Sequence, residues 1–155
     1  MPVRVTQAHL AAIAALEKES FVHPWSPDAL GLLCTADAVG FVVMEGARAL
    51  AYGGMLCVAD EGQITNIATA PDHRRQGLGA RVLRALLAEA RARGLSQISL
   101  EARESNAPAI ALYERFGFSV RGKRPRFYTS PTEAALVMVC DLDRGRIDGE
   151  ELCTF

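Results

Sequence analysis

The stretch Asn66-Ile67-Ala68-Thr69-Ala70-Pro71-Asp72-His73-Arg74-Arg75-Gln76-Gly77-Leu78-Gly79-Ala80 carries three signals in one order. A β-rich segment stops at Pro71, since the residue before a proline is steered away from helix. A basic, glycine-containing bend follows. From 77 to 93 the apolar residues Leu78, Val82, Leu83, Leu86, Leu87 and Ala90 then share one helical face, with Arg81, Arg84, Glu89, Arg91 and Arg93 over much of the rest. This order predicts an anion site. First-turn amides of a helix lack internal partners, and the dipole adds positive character there. Gly77 and Gly79 let the backbone approach a phosphate, and Arg74 and Arg75 add charge-assisted contacts. The spacing excludes the two standard nucleotide loops. No Lys-Ser or Lys-Thr follows the glycines, and Val82 stands where a dinucleotide fingerprint needs a third glycine.

Working outward, residues 63–70 read as a strand, and 97–102 as the strand after the helix. A connection of this length suits a parallel crossover. Upstream, 39–44 and 47–58 are strand-like and separated by Glu45-Gly46, so three strands form an antiparallel meander. Gly53-Gly54 inside the second of these suggests a bulge. Before the meander, Val3-Arg4-Val5 is a short strand. Thr6 caps a helix with apolar Leu10, Ile13, Ala14 and Leu16, and Ser26-Pro27 opens a second helix. Downstream, Gly94 ends the long helix, Asn106 caps another that runs to Gly117, and 118–121 and 134–143 are the last two strands. The predicted order is βααβββαβαββ in one domain over 1–144, with a tail at 145–155 that shows no usable periodicity.

The composition, 50% hydrophobic and 23% charged over 155 residues, is that of a folded chain with a real core. No apolar run approaches the roughly 20 residues that span a bilayer, and 1–5 lacks a secretory signal. The expectation is a cytoplasmic protein with no membrane partner. Cys34, Cys57, Cys140 and Cys153 form no C-x-x-C pair, and with His9, His23 and His73 they give no metal-ligand spacing. Cys57 and Cys140 read as buried free thiols. Net charge is −1 but uneven: residues 73–126 hold twelve of the seventeen Arg and Lys and four acids, giving +8 there and −9 elsewhere. A phosphorylated cofactor and nucleic acid both answer that asymmetry.

Arg74-Arg75-Gln76-Gly77-Leu78-Gly79 matches the Gln/Arg-x-x-Gly-x-Gly/Ala motif, and the chain resembles the GNAT superfamily. Pro24-Trp25-Ser26, Asn66-Ile67-Ala68, Leu100-Glu101-Ala102-Arg103, the run from Ser105 to Tyr113 and Gly117-Phe118 extend the likeness over about residues 3–140. They point to the bacterial ribosomal protein bS18 alanine N-acetyltransferase family. The resemblance implies an α/β fold (α+β in some schemes) with a mixed, partly splayed sheet and helices on both faces. It implies acetyl-CoA as co-substrate and no metal. Ile67, Ala68 and Thr69 would pair with the pantetheine arm, Arg75, Gln76, Gly77, Leu78, Gly79 and Ala80 would hold the pyrophosphate, and Asn106 would touch the cofactor near its arm. Glu101 would act as general base and Tyr113 as general acid. Trp25, Arg126, Phe127 and Tyr128 would border the groove for a protein N-terminus, that of bS18, with no direct nucleic-acid contact.

The residues themselves fit direct acyl transfer. An α-amine with pKa about 7.7–8.0 is far easier to use as a neutral nucleophile than a lysine near 10.4. Glu101 ends an apolar strand, where desolvation favours a base; a surface carboxylate paired with Arg103 is the alternative. Tyr113 is a phenol able to protonate a leaving thiolate, or a core tyrosine. Amides in 67–69 are oxyanion donors if that strand bulges. No G-x-S-x-G supports a serine route. Where the family has a Tyr-Tyr-Pro-like run, this chain has Phe127-Tyr128-Thr129-Ser130-Pro131, a departure on the acceptor side. Two other readings stand beside this one: an acetyltransferase for lysine or small-molecule amines, and a nucleic-acid-binding module. The +8 stretch lacks the interleaved aromatics that the last would use.

Overall fold

The computed structural model describes residues 1–142. The expected domain edge at 144, the tail at 145–155 and Cys153 lie outside the described residues. The element order is β1 (Val3–Arg4), α1 (Leu10–Ser20), α2 (Pro27–Leu30), β2 (Ala38–Glu45), β3 (Arg48–Val58), β4 (Glu61–Thr69), α3 (Leu78–Ala92), β5 (Gln97–Arg103), α4 (Ala107–Arg115), β6 (Ser119–Tyr128) and β7 (Glu133–Asp141). Leaving out three short 3-10 turns, this is the order the sequence predicts.

The caps explain the boundaries. Ser26 Oγ accepts from the Ala29 amide at the start of α2, and Asn106 Oδ1 accepts from the Ala109 amide at the start of α4. Gly94 and Gly117 leave α3 and α4 with φ of 73° and 92°. α1 is entered through a 3-10 turn, Gln7–His9, after Thr6.

The seven strands lie in the order β1-β2-β3-β4-β5-β7-β6. β2, β3 and β4 form the antiparallel meander, and β4 and β5 are parallel. β4 and β5 stay together only over Glu61–Gln97, Gly62–Ile98 and Gln63–Ser99. Beyond that register β5 continues against β7 through Arg103–Ala135, and β4 continues against β3 through Thr69–Ala51. The sheet is therefore two blades joined at three residue pairs and open past them.

Each face has its own core. On one, α3 buries the six predicted residues Leu78, Val82, Leu83, Leu86, Leu87 and Ala90 against Val39, Met55, Ile64, Ile98, Leu100 and Met138, and α4 adds Ile110 and Tyr113. At roughly 1.5–3 kcal/mol per fully buried Leu or Val, this packing outweighs helix propensity. On the other face α1 and α2 set Leu10, Ile13, Leu16 and Leu30 against Val42, Tyr52, Ala68 and Ala70.

Gly53-Gly54 is where both layers press closest. A Cβ on Gly53 would lie 2.7 Å from Val82 Cγ1, and one on Gly54 would lie 2.6 Å from Leu33 Cδ2. The bulge expected here exists, but its extra residue is in the neighbouring strand: Gly54 pairs with Asn66 and Met55 with Ile64, leaving Thr65 over. The glycines themselves serve close approach.

β6 is longer than expected, reaching Tyr128 instead of 121, and its pairing with β7 slips at 120–122 and again at 124–128. Cys140 is buried as expected, whereas Cys57 is half-buried and takes a contact from the Arg93 guanidinium at 3.6 Å. Cys34, Cys57 and Cys140 are all free thiols. No helix among the described residues is long and apolar enough to cross a membrane.

Candidate active site

Where β4 and β5 part, a cleft of about 510 Å³ opens. Ile64, Thr65, Asn66 and Ile67 line one wall, and Leu100, Glu101, Ala102 and Arg103 the other. Asn106, Ala109 and Tyr113 of α4 and its cap also line it, as do Phe21, His23 and Trp25 from the loop before α2 and Phe127 and Tyr128 of β6. The fold thus brings together Trp25, Ile67, Glu101, Asn106, Tyr113, Phe127 and Tyr128, which the sequence scatters over a hundred positions. Ala68, Thr69, Arg126 and the 75–80 bend do not line this cleft.

Two bulges aim its walls. With Thr65 inserted in β4, Ile64 and Ile67 both face α3, while Asn66, Ala68 and Ala70 face α1; strict alternation would have put Ile64 and Asn66 on one side. In β6, Arg124 pairs with Ala135 and Tyr128 with Glu133, so three residues oppose one. Arg126 takes a φ of 54° in that bulge and is exposed, whereas Phe127 and Tyr128 are turned to the cleft, their rings 5.0 Å apart edge to face.

Glu101 projects from β5 between the buried Leu100 and Ala102, with its own side chain 17% exposed. The expected partner Arg103 is engaged elsewhere. It donates to Thr129 and Pro131 carbonyls and to Glu133, and it stacks over Tyr128 at 4.4 Å. Among the described residues the ion-pair partner of Glu101 is Arg124, at 3.8 Å and exposed, a weak contact.

Tyr113 is half-buried, 6.0 Å from the Phe118 ring, and its phenol is pushed up to about 12, first by burial and then by neighbouring Tyr128. Tyr128 is shifted upward too, chiefly by burial and then by the charge of Glu101. Glu101, Tyr128 and Tyr113 therefore form one electrostatic group across the cleft. Cys57 is not part of it.

At the far end of β4 the chain makes a 3-10 turn, Pro71–His73, and the bend before α3. Arg75 holds a left-handed φ of 65° and Gly77 one of 77°. Gly77 is the N-cap of α3, where a residue inside the helix was expected, and no side chain caps it, in contrast with α2 and α4. A Cβ on Gly77 would meet nothing within 4 Å. Among the described residues neither Arg74 nor Arg75 has an ion pair, while Arg48 is held by Asp72 at 2.7 Å and Arg93 by Glu89 at 2.9 Å. The first turn of the longest helix thus has no side-chain cap, and two guanidinium groups without ion pairs precede it in the chain, which suits a diphosphate.

Sequence reasoning missed Phe21, His23, Thr65 and Asn66 of the lining, and a buried carboxylate behind it. Glu17 of α1 is fully buried, and its carboxylate accepts from the Trp25 amide at 3.0 Å and from Asn66 Nδ2 at 3.1 Å. A Glu on a helix otherwise reads as solvated, and only the tertiary fold shows the donors that surround it.

Comparison with known proteins agrees with this geometry. Residues 10–118 match the model of the Acetyltransferase (GNAT) family. An Escherichia coli (strain K12) protein named [ribosomal protein bS18]-alanine N-acetyltransferase is 35% identical over 131 residues, covering 83% of this chain and 88% of that one. A Bacillus subtilis (strain 168) protein carrying that name provisionally is 37% identical over 125 residues, covering 79% and 83%. The crystal structure of the ribosomal-protein-S18-alanine N-acetyltransferase from Escherichia coli superposes with a TM-score of 0.83 at 32% identity, covering 92% of this chain and 94% of the other.

Proposed function

Because the chain belongs to the GNAT acetyltransferase family, we propose that this N-acetyltransferase moves an acetyl group from acetyl-CoA to the N-terminal α-amine of a protein, with the N-terminal alanine of ribosomal protein bS18 as acceptor. The observation that carries the reading is the cleft where β4 and β5 part, with Glu101 and Tyr113 in its lining. The names of the Bacillus subtilis and Escherichia coli relatives support the choice of acceptor.

Bound acetyl-CoA supplies the acyl group as an activated thioester. Arg75, Gln76, Gly77, Leu78, Gly79 and Ala80 offer amides and charge to its pyrophosphate; Ile67, Ala68 and Thr69 offer strand edges to the arm. Asn106 spends its Oδ1 on the α4 cap, so its amide NH₂ remains to donate to the cofactor. Glu101, directly or through water, takes the proton from the attacking amine, which supplies roughly 10²–10⁴-fold. Amides of 67–69 meet the negative charge that develops on the acyl oxygen. Tyr113 gives its proton to the departing sulfur. Trp25, Phe127 and Tyr128 flank the incoming chain end, and Arg126 stands outside at the rim.

The experiment is intact-mass analysis of ribosomal proteins from cells with and without this enzyme, followed by transfer assays on N-terminal, lysine and polyamine acceptors. One added acetyl group on bS18 alone is the expected result. Equal transfer to lysine side chains or polyamines, with bS18 unmodified, overturns the acceptor.

A further inference from the structure

We propose that Glu17 is a positioning residue for the acceptor: its buried carboxylate clamps the Trp25 loop to Asn66 at the β4 bulge and so fixes the spacing of the cleft's two acceptor-side walls. The inference rests on the acetyl-transfer reading of the cleft, but not on which amine is acetylated.

The clamp joins four elements. Glu17 stands in the last turns of α1. Its Oε1 accepts from the Trp25 backbone N–H, eight residues on, and from Asn66 Nδ2, forty-nine residues on. Its Oε2 is 3.4 Å from the same Asn66 nitrogen. The Tyr52 hydroxyl accepts from Asn66 at 3.4 Å, which ties β3 to the clamp. Trp25 and Asn66 both donate to the Glu17 carboxylate. No cation pairs with it among the described residues, and burial is the largest influence on its proton affinity, raising it, with the bonds from Trp25, Tyr52 and Asn66 opposing.

An arrangement of this kind is a poor way to gain stability. A buried carboxylate without a cation is costly, and an apolar side chain of similar volume usually serves a core as well or better. What the carboxylate supplies and a leucine cannot is direction. It holds one specific amide of an irregular loop and one specific amide of a bulged strand at hydrogen-bond distance from a single atom. Those two segments provide Phe21, His23 and Trp25 on one side of the cleft and Thr65, Asn66 and Ile67 on the other. The phosphate bend lies past the end of β4, beyond Ala70, and no hydrogen bond joins it to Glu17 among the described residues.

Trp25 is the chain's one tryptophan, so its fluorescence reports this loop without interference. The test compares the full chain with Glu17→Gln, Asn66→Ala and the double variant. Acrylamide quenching of Trp25 is read well below the thermal midpoint, and KM is read for acetyl-CoA and for an N-terminal alanine peptide. Losing a hydrogen bond to a charged acceptor predicts a roughly tenfold rise in peptide KM. Acetyl-CoA KM is expected to move less than peptide KM, since the pyrophosphate bend at 75–80 is untouched although Ile67 adjoins Asn66. Quenching should rise in both single variants, and the double variant should be no worse than the poorer single one, because both cut the same clamp. Unchanged Trp25 quenching, or strictly additive effects, overturns the proposal even if the variants are less stable. If Glu17→Gln does not fold, Asn66→Ala decides alone: its Trp25 quenching must rise. Quenching needs no turnover, so a wild-type enzyme that ignores the peptide counts against the acceptor reading and leaves the clamp to be judged by fluorescence.

Discussion

Glu101 and Tyr113 meet the cleft with opposite protonation demands, and their surroundings separate the two. Tyr113 must carry its proton to act. With its phenol raised to about 12, it keeps that proton through neutral and mildly alkaline pH, so it contributes no alkaline fall in kcat below roughly pH 11. The same shift makes the phenol a more reluctant donor, which suits a basic thiolate better than a weak one. Glu101 must take the amine's proton, and among the described residues its ion-pair partner is the exposed Arg124. Glu101→Gln is expected to lower kcat by roughly 10²–10⁴-fold. Tyr113→Phe is expected to lower kcat as well. In both, acetyl-CoA affinity by calorimetry should stay near wild type. A Tyr113→Phe enzyme with normal kcat and weakened binding would falsify the acid role. These two residues were legible because family motifs mark them; Glu17 was not, because nothing local distinguishes it from Lys18 or Glu19 on the same helix.

The elements were legible where the chemistry is local and illegible where it comes from a neighbour. Ser26, Asn106, Gly94 and Gly117 announce helix ends through their own side chains or their lack of one, and the structure uses them so. The second half of β6 lies beyond the strand expected at 118–121; Gly122 and Pro125 are poor strand formers, and β7 nonetheless supplies pairing partners there. The bulge belongs to Thr65, and its sequence trace was the glycine pair on the opposite strand. Arg75 in a left-handed conformation left no trace at all, since arginine there is a strained choice. Asn106 allows a prediction at this scale because one side chain does two jobs. Asn106→Asp keeps a capping oxygen and loses the amide donor, so it should hold stability within about 0.5 kcal/mol and weaken acetyl-CoA binding. Asn106→Ala should lose the cap as well, costing about 1 kcal/mol by urea denaturation. Equal cofactor affinity in Asn106→Asp and wild type would remove that contact from the site.

At the scale of the molecule, the sheet depends on three residue pairs to join its blades, and the ligand proposed for the gap is the natural bridge between them. Saturating acetyl-CoA at about 100 times Kd should stabilise the fold by about 2.7 kcal/mol. Hydrogen exchange should show the added protection along 64–69, 100–103 and the first turn of α3, with little change in β2 or the outer length of β6. Uniform slowing everywhere would point to a general effect of binding and not to closure of the gap. The outer margins of the sheet have a consequence of their own. One margin is β1, two residues long; the other is β6, whose rim carries Arg121, Lys123, Arg124 and Arg126, interrupted by Pro125 and thrown out of register twice. A rim that is charged, kinked and short of amide donors is a bad template for another strand. Copies of this protein meeting sideways in a crowded solution find nothing to zip onto, so the fold resists fibril seeding at the flank where a wide open sheet is otherwise most vulnerable.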